Sequence, residues 1–486
     1  MDDTGVNRDR IASGTPGLDA VLDGGLIRGQ TTLVSGGPGT GKTILALQFL
    51  AEADNGLYIG FEERETDIRA NAAKLGIDLD DVEILDLSAD GTRFFSTDEY
   101  SIFSPEEVEG DSLLDRIAET IDEASPDRLV VDPLTELRSL LPDEYRFRRN
   151  ISSLINELKE REITMVCTTQ YASEAGDRDL QFLGDAALEI ERATEHRTVE
   201  VTKFRGSEYA GGKHTYRIRG GTGARVYPKL IPDDHGRESS RERLSSGIDA
   251  LDDLLGGGIE RGSVTVISGP SGVGKTTVGS TFLTGAAGRD ERAAGYLFEE
   301  IRSDYLYRSE AIGLGVQSPV DDGTLVVEDV ESLSQSPDEF ADRIRTAVED
   351  DGIGTVLIDG VAGYRIGLRG EASSRELTRE LHALCRYLKR MGVTVILIDE
   401  VRNISGDLIA TNEQISYLAD NVVFLRYVEI DGELRKAIGV LKKRFGEFEH
   451  TLRELSITAD GVEVGPKLTG LRGLLSGMPE SPNTDG

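Results

Sequence analysis

Short, nearly continuous apolar runs punctuate the chain at regular intervals. In the first half they are Thr31–Ser35, Leu57–Phe61, Leu129–Asp132 and Thr164–Thr168; in the second, Val264–Ser268, Gly295–Phe298, Thr355–Asp359 and Thr394–Asp399. Apolar runs without polar alternation are what parallel strands buried on both faces require. Between them lie stretches of helical periodicity, Ile151–Arg161 and Ser374–Met391 among them. Strand and helix in alternation predict an α/β fold, with a mostly parallel sheet flanked by helices in each half. From Thr198 to Tyr227, and again from Val422 to Glu447, the pattern turns strand-rich, which predicts an antiparallel extension of each sheet.

The two halves are copies of one unit. Ser13-Gly14 with Gly17-Leu18-Asp19 returns as Ser246-Gly247 with Ala250-Leu251-Asp252, and Gly24-Gly25-Leu26 returns as Gly257-Gly258-Ile259. Gly36 to Thr43 returns as Gly269 to Thr276, and all three matches share an offset of 233 residues. A fixed offset of this kind marks duplication. The expected organisation is a first domain over 1–233, a second over 234–475 and a frayed tail over 476–486. The polar, proline-bearing stretch Pro228–Arg243 is the expected linker.

Charge changes the picture of the surroundings. The chain has 486 residues, with 88 Asp and Glu against 54 Lys and Arg, a formal net charge of −34. Of the basic residues 12 are Lys and 42 are Arg. Such a surplus repels itself at ordinary ionic strength, whereas in about 1 M salt the screening length falls to ~3 Å. The composition therefore fits the cytosol of an organism that accumulates salt, and it leaves net charge uninformative about nucleic-acid binding. Only Cys167 and Cys385 are present, which excludes a disulfide scaffold and suits a reducing, cytoplasmic compartment. No apolar run approaches the ~18 residues of a membrane span, and the start MDDTGVNRDR does not read as a signal peptide.

The chemistry sits at the repeated glycine-rich segments. Gly36-Gly37-Pro38-Gly39-Thr40-Gly41-Lys42-Thr43 and Gly269-Pro270-Ser271-Gly272-Val273-Gly274-Lys275-Thr276 each follow a predicted strand and open an apolar helix, which continues with Thr277 in the second copy. This is the phosphate-binding P-loop, whose backbone N–H groups and helix N-terminus surround phosphate oxygens. Lys42 and Lys275 are expected on the β- and γ-phosphates of ATP, and the Thr43 and Thr276 hydroxyls on Mg²⁺. Asp132 and Asp359, each ending a buried run, complete the expected metal shell. Phe61-Glu62-Glu63 and Phe298-Glu299-Glu300 end another predicted strand, where a carboxylate can take a proton from an attacking water. Spacing leaves open which Glu of each pair acts. Lys203 and Arg205 with Ser207, and Lys442 with Arg444, are candidate contacts to a neighbouring subunit's phosphates, since cations two apart on a strand share a face.

Together these motifs resemble the KaiC family, the double-domain, RecA-like circadian ATPases and their archaeal relatives. The resemblance covers nearly the whole chain and implies two tandem RecA-like P-loop NTPase domains. It also implies a homohexameric double ring with ATP at subunit interfaces, slow hydrolysis in the first domain and self-phosphorylation in the second. The family's phosphorylated Ser-Thr pair falls on Ser416 and Tyr417, so one acceptor is kept and an ordered two-site cycle is not. Phe445-Gly446 stands where the family carries Gly-Ser, a pattern that Gly206-Ser207 keeps. Protein regulators acting in trans are expected, and the segment from Lys467 is a candidate docking peptide.

Two other functional classes share parts of this pattern. A DNA-dependent ATPase or recombinase shares the RecA-like core, but the chain shows no basic run with interleaved aromatics and carries two ATPase cores. A scaffold that uses ATP only to assemble would bind nucleotide without turnover.

Overall fold

A computed structural model describes residues 9–88, 105–139, 144–170, 180, 182–192, 196–232, 235–237, 242–331, 335–368, 374–401, 415, 417–430 and 432–469. The chain divides into two compact units at Lys229 and Leu230. Ser416 and the segment 470–486 lie outside the described residues.

Each unit is built on one nine-stranded sheet. In the first the spatial order runs Gly223–Tyr227, Lys213–Arg219, Arg197–Phe204, Ala186–Arg192, Thr31–Gly36, Thr164–Gln170, Arg128–Asp132, Gly56–Gly60 and Val82–Asp86. The six strands from Ala186–Arg192 onward are parallel, and the remaining three continue antiparallel. The second unit repeats that order with Gly461–Lys467, Arg453–Thr458, Glu433–Lys443, Asn421–Ile430, Val264–Gly269, Thr394–Glu400, Thr355–Asp359, Ala293–Leu297 and Leu325–Asp329. Eight apolar runs seen in the sequence are thus the inner parallel strands. Their side chains fill both faces: Leu57, Ile59, Leu129 and Val131 pack on one side of the first sheet, Tyr58, Val130 and Val166 on the other. The outermost parallel strands, Val82–Asp86 and Leu325–Asp329, mix buried with partly or fully exposed positions.

The repeated signature before each P-loop has a packing cause. Asp19 accepts the backbone N–H of Ser13 at 2.8 Å, and Asp252 accepts that of Ser246 at 2.8 Å. Gly25 and Gly258 have φ of 108° and 104°, and a Cβ there would stand 2.4 and 2.3 Å from the carbonyl oxygens of Ile11 and Leu244. Backbone approaches backbone so closely only where both conformation and space suit glycine. Local signals act elsewhere too: Ser336 and Glu339 cap the helix Pro337–Glu349 reciprocally, with Pro337 at its first position.

Candidate functional site

The two P-loops join the strands Thr31–Gly36 and Val264–Gly269 to the helices Lys42–Ala51 and Lys275–Ala287. Gly41 and Gly274 stand before those helices at φ 100° and 112°. A Cβ on them would come within 2.5 Å of Ile218 Cδ1 and 2.3 Å of Ile457 Cδ1. Lys42 Nζ donates to the carbonyls of Gly36 and Gly37, both at 2.9 Å, and Lys275 Nζ to that of Pro270 at 2.9 Å. Burial lowers both lysine pKa values, while Asp132 and Glu62 oppose the shift in the first unit and Glu400 and Glu299 in the second. An ammonium held short of full hydration is poised for phosphate oxygens.

Parallel neighbours bring the acids to the same sheet edge. Asp132 ends its strand, accepting the Tyr58 hydroxyl at 2.8 Å and the Thr168 hydroxyl. In the second unit Thr276 Oγ1 itself donates to Asp359 Oδ1 at 3.1 Å. Burial pushes the Asp359 carboxyl up to about 7, with the Thr276 bond opposing and Glu300 and Glu299 adding to it.

Strands end at Gly60 and Leu297, one residue before each Phe-Glu-Glu, so the glutamates lie in the bend beyond the strand rather than at its end as the apolar pattern suggested. That bend separates the members of each pair. Both first-unit glutamates are exposed: Glu62 accepts from Gln170 Nε2 at 2.7 Å and Glu63 from Asn71 Nδ2 at 3.3 Å. Glu299 is exposed, and Glu300, the less exposed of the two, is ion-paired to Arg308. Burial raises the carboxyl pKa of Glu62 and of Glu299; Asp132 adds to the first and Glu400 to the second.

The second unit encloses a cleft of about 460 Å³ lined by Ser271, Lys275, Thr276, Glu299, Asp359 and Ile457 among others. Thr277 also lines it and accepts from Arg308 Nη1 at 3.3 Å. Further groups beside the two P-loops carry no signal in the sequence. Tyr216 donates to the Gly41 carbonyl at 3.0 Å, and Arg197 reaches the Gly39 carbonyl at 3.4 Å. Lys436 occupies the register position in the second sheet that Arg197 holds in the first. They come from the antiparallel strands, where only the three-dimensional register aligns them with the P-loop.

The lysine–arginine motifs sit elsewhere. Lys203 pairs in register with Ala187 and Lys442 with Val422, near the start of strands whose later residues flank the P-loop. Arg205 and Arg444 fall just past their strands, within 3.8 Å of Asp185 and 3.2 Å of Asp420. Lys203 Nζ donates to the carbonyl of Gly184, while the Ser207 hydroxyl accepts from Arg10. Lys443, between the two expected cations, is buried and paired with Glu260 at 3.3 Å.

Two P-loops with the same strand-end acid and the same first glutamate, at the same edge of identically ordered sheets, narrow the choice of family. The sequence profile of the KaiC ATPases matches the chain twice, over residues 11–231 and 244–469. The chain belongs to the KaiC ATPase family. Its relatives include the circadian clock oscillator protein KaiC of Prochlorococcus marinus, 29% identical over 97% of this chain and 95% of that protein. The oscillator protein KaiC of Thermostichus vulcanus is 28% identical over 98% and 93%. The circadian clock protein KaiC3 of a Synechocystis species is 26% identical over 97% and 94%. Membership makes the chain an ATP-binding ATPase built from two tandem RecA-like units. Among the described residues no helix is long and apolar enough to cross a membrane.

Proposed function

We propose that this KaiC-family chain hydrolyses ATP in both units, with Mg²⁺, as a cytoplasmic homohexameric ring in which signalling or timing is read from nucleotide state. The observation that carries the reading is the convergence of P-loop lysine, strand-end aspartate and first glutamate at one sheet edge, twice. The donor set fits Mg²⁺: in the second unit a threonine hydroxyl and a carboxylate lie 3.1 Å apart, hard oxygen ligands suited to an ion that keeps water and phosphate in its shell. When bound, that ion would neutralise charge developing on the phosphates. Thr43 with Asp132, and Thr276 with Asp359, would hold it.

Lys42 and Lys275 bind the phosphate chain and fix its orientation. Glu62 and Glu299 take a proton from water as its oxygen bonds to the γ-phosphorus and the bond to the β-phosphate oxygen breaks, releasing ADP. Burial raises both carboxyl pKa values above the ordinary range, which makes each carboxylate a stronger proton acceptor. Gln170 anchors Glu62 by the hydrogen bond already described.

The placement of the paired cations supports ring assembly. From Ile190, beside Gly36, back to Ala187, beside Lys203, the strand runs about 10 Å, and the Lys203 amine turns toward Gly184. That distance from their own P-loop supports reading Lys203, Arg205, Lys442 and Arg444 as contacts to the phosphates of another copy. Mg-ATP in about 2 M KCl should produce a hexamer by light scattering; a monomer contradicts this part. The proposal extends to self-phosphorylation at Ser416, read as added phosphate in the intact mass that the double variant Glu299→Gln, Glu300→Gln lacks. No added mass removes that part and leaves the ATPase. Stimulation of turnover by single-stranded DNA would instead favour a DNA-dependent enzyme, and regulators in trans would show as proteins that shift the rate. The function itself is tested by Lys42→Ala and Lys275→Ala, each expected to abolish turnover at one of two sites.

A further inference from the structure

The duplication supplies an internal comparison. The helices Glu65–Lys74 and Arg302–Ala311 follow the two Phe-Glu-Glu segments at the same spacing, and in both the seventh residue faces the second glutamate. In the first unit that residue is Asn71, donating to Glu63 at 3.3 Å. In the second it is Arg308, whose Nη2 pairs with Glu300 while Nη1 donates to Thr277 Oγ1 at 3.3 Å. Arg308 lines the cleft together with Lys275, Thr276 and Asp359.

A compensating change stands across the cleft. Gln170, in register with Gly36, is replaced by Glu400, in register with Gly269 and 3.9 Å from Lys275. Relative to the first site, the second has gained one cation and one anion. The anion draws on the P-loop lysine; the cation stands over the threonine that follows the P-loop. A guanidinium has five N–H donors in a planar fork suited to phosphate oxygens, and two of its groups are engaged here.

We propose that Arg308 is a phosphate-binding residue of the second unit alone, a cation supplied in cis that grips the nucleotide's phosphate chain where the first unit has only Asn71. The inference rests on ATP binding at the second P-loop. Glu300 then serves to hold Arg308 beside Thr277, which explains why the second glutamate is ion-paired in one unit and solvent-facing in the other.

The test uses the full chain carrying Lys42→Ala, so that a fluorescent N-methylanthraniloyl-ATP with Mg²⁺ reports the second site. R308N should weaken binding about tenfold, and R308K should retain a good part of it. The double variant R308N with E300Q separates two roles: were Arg308 only a partner for Glu300, removing both charges would restore affinity. No restoration is expected, and full restoration overturns the proposal, as does R308N binding within about twofold of its parent. The reverse exchange, N71R in a chain carrying Lys275→Ala, should tighten binding at the first site and does not depend on R308N folding. Should the Lys42→Ala parent bind no nucleotide, ATP binding at the second P-loop fails and this proposal with it.

Discussion

Glu62 and Glu63 are neighbours in sequence and identical in chemistry, yet they meet different partners. Glu62 stands against Asp132 and Gln170, while Glu63 faces water and Asn71. In a chain disabled at the second P-loop, Glu62→Gln should lower turnover about 100-fold or more, and Glu63→Gln by no more than about fivefold. Single-turnover ATP hydrolysis reads both; equal losses would contradict the assignment. The base at the second site works only when it has lost its proton, and burial raises its pKa. Second-site turnover should therefore rise with pH along a limb lying above the ordinary carboxylate range, and a limb at or below that range would contradict it. Asp359 carries a stability consequence of opposite sign. Its folded-state carboxyl titrates at about 7 against 3.8 in the open chain, so the folded form holds the extra proton between these values. Its contribution to stability is complete below the lower value and is lost as pH rises toward the higher. The melting temperature of nucleotide-free protein should fall from pH 5 to 8, and Asp359→Asn should flatten that decline while abolishing Mg²⁺-dependent turnover. An unchanged slope would contradict the cause given.

At the scale of elements, legibility followed burial. Inner strands such as Leu129–Asp132 are apolar on both faces and are read directly, whereas Val82–Asp86 lies at the sheet edge, with Glu83 and Asp86 interrupting both of its faces. The P-loops were legible because their chemistry is contiguous. Arg197, Tyr216, Lys436 and Arg308 were not, because they reach the loops by strand register or across a helix, and no sequence spacing announces that. Asp420 is another such group. Fully buried at the start of the strand Asn421–Ile430, it accepts the backbone N–H of Val264 at 3.1 Å and pairs with Lys389 and Arg444. Lys389 and Arg444 are both more than a third exposed, so removing Asp420 costs chiefly the bond to the buried Val264 N–H, about 1–3 kcal/mol. Asp420→Ala should lose stability on that order in denaturant melts, and a loss under about 1 kcal/mol would mean the cluster is solvated.

At the scale of the molecule, two features set behaviour: duplication and a formal charge of −34. The surplus charge should make thermal stability climb steeply with KCl toward about 1 M, where repulsion is screened. A melting temperature indifferent to KCl would contradict that reading. Duplication makes the stronger claim, that each chain carries two nucleotide sites of one design. The direct measurement is ATP bound per chain at saturation, in the presence of Mg²⁺, for the parent protein and for Lys42→Ala and Lys275→Ala. Two nucleotides in the parent and one in each variant is the predicted result. One nucleotide in the parent, lost entirely in a single variant, would show that one P-loop is only structural and would contradict the account.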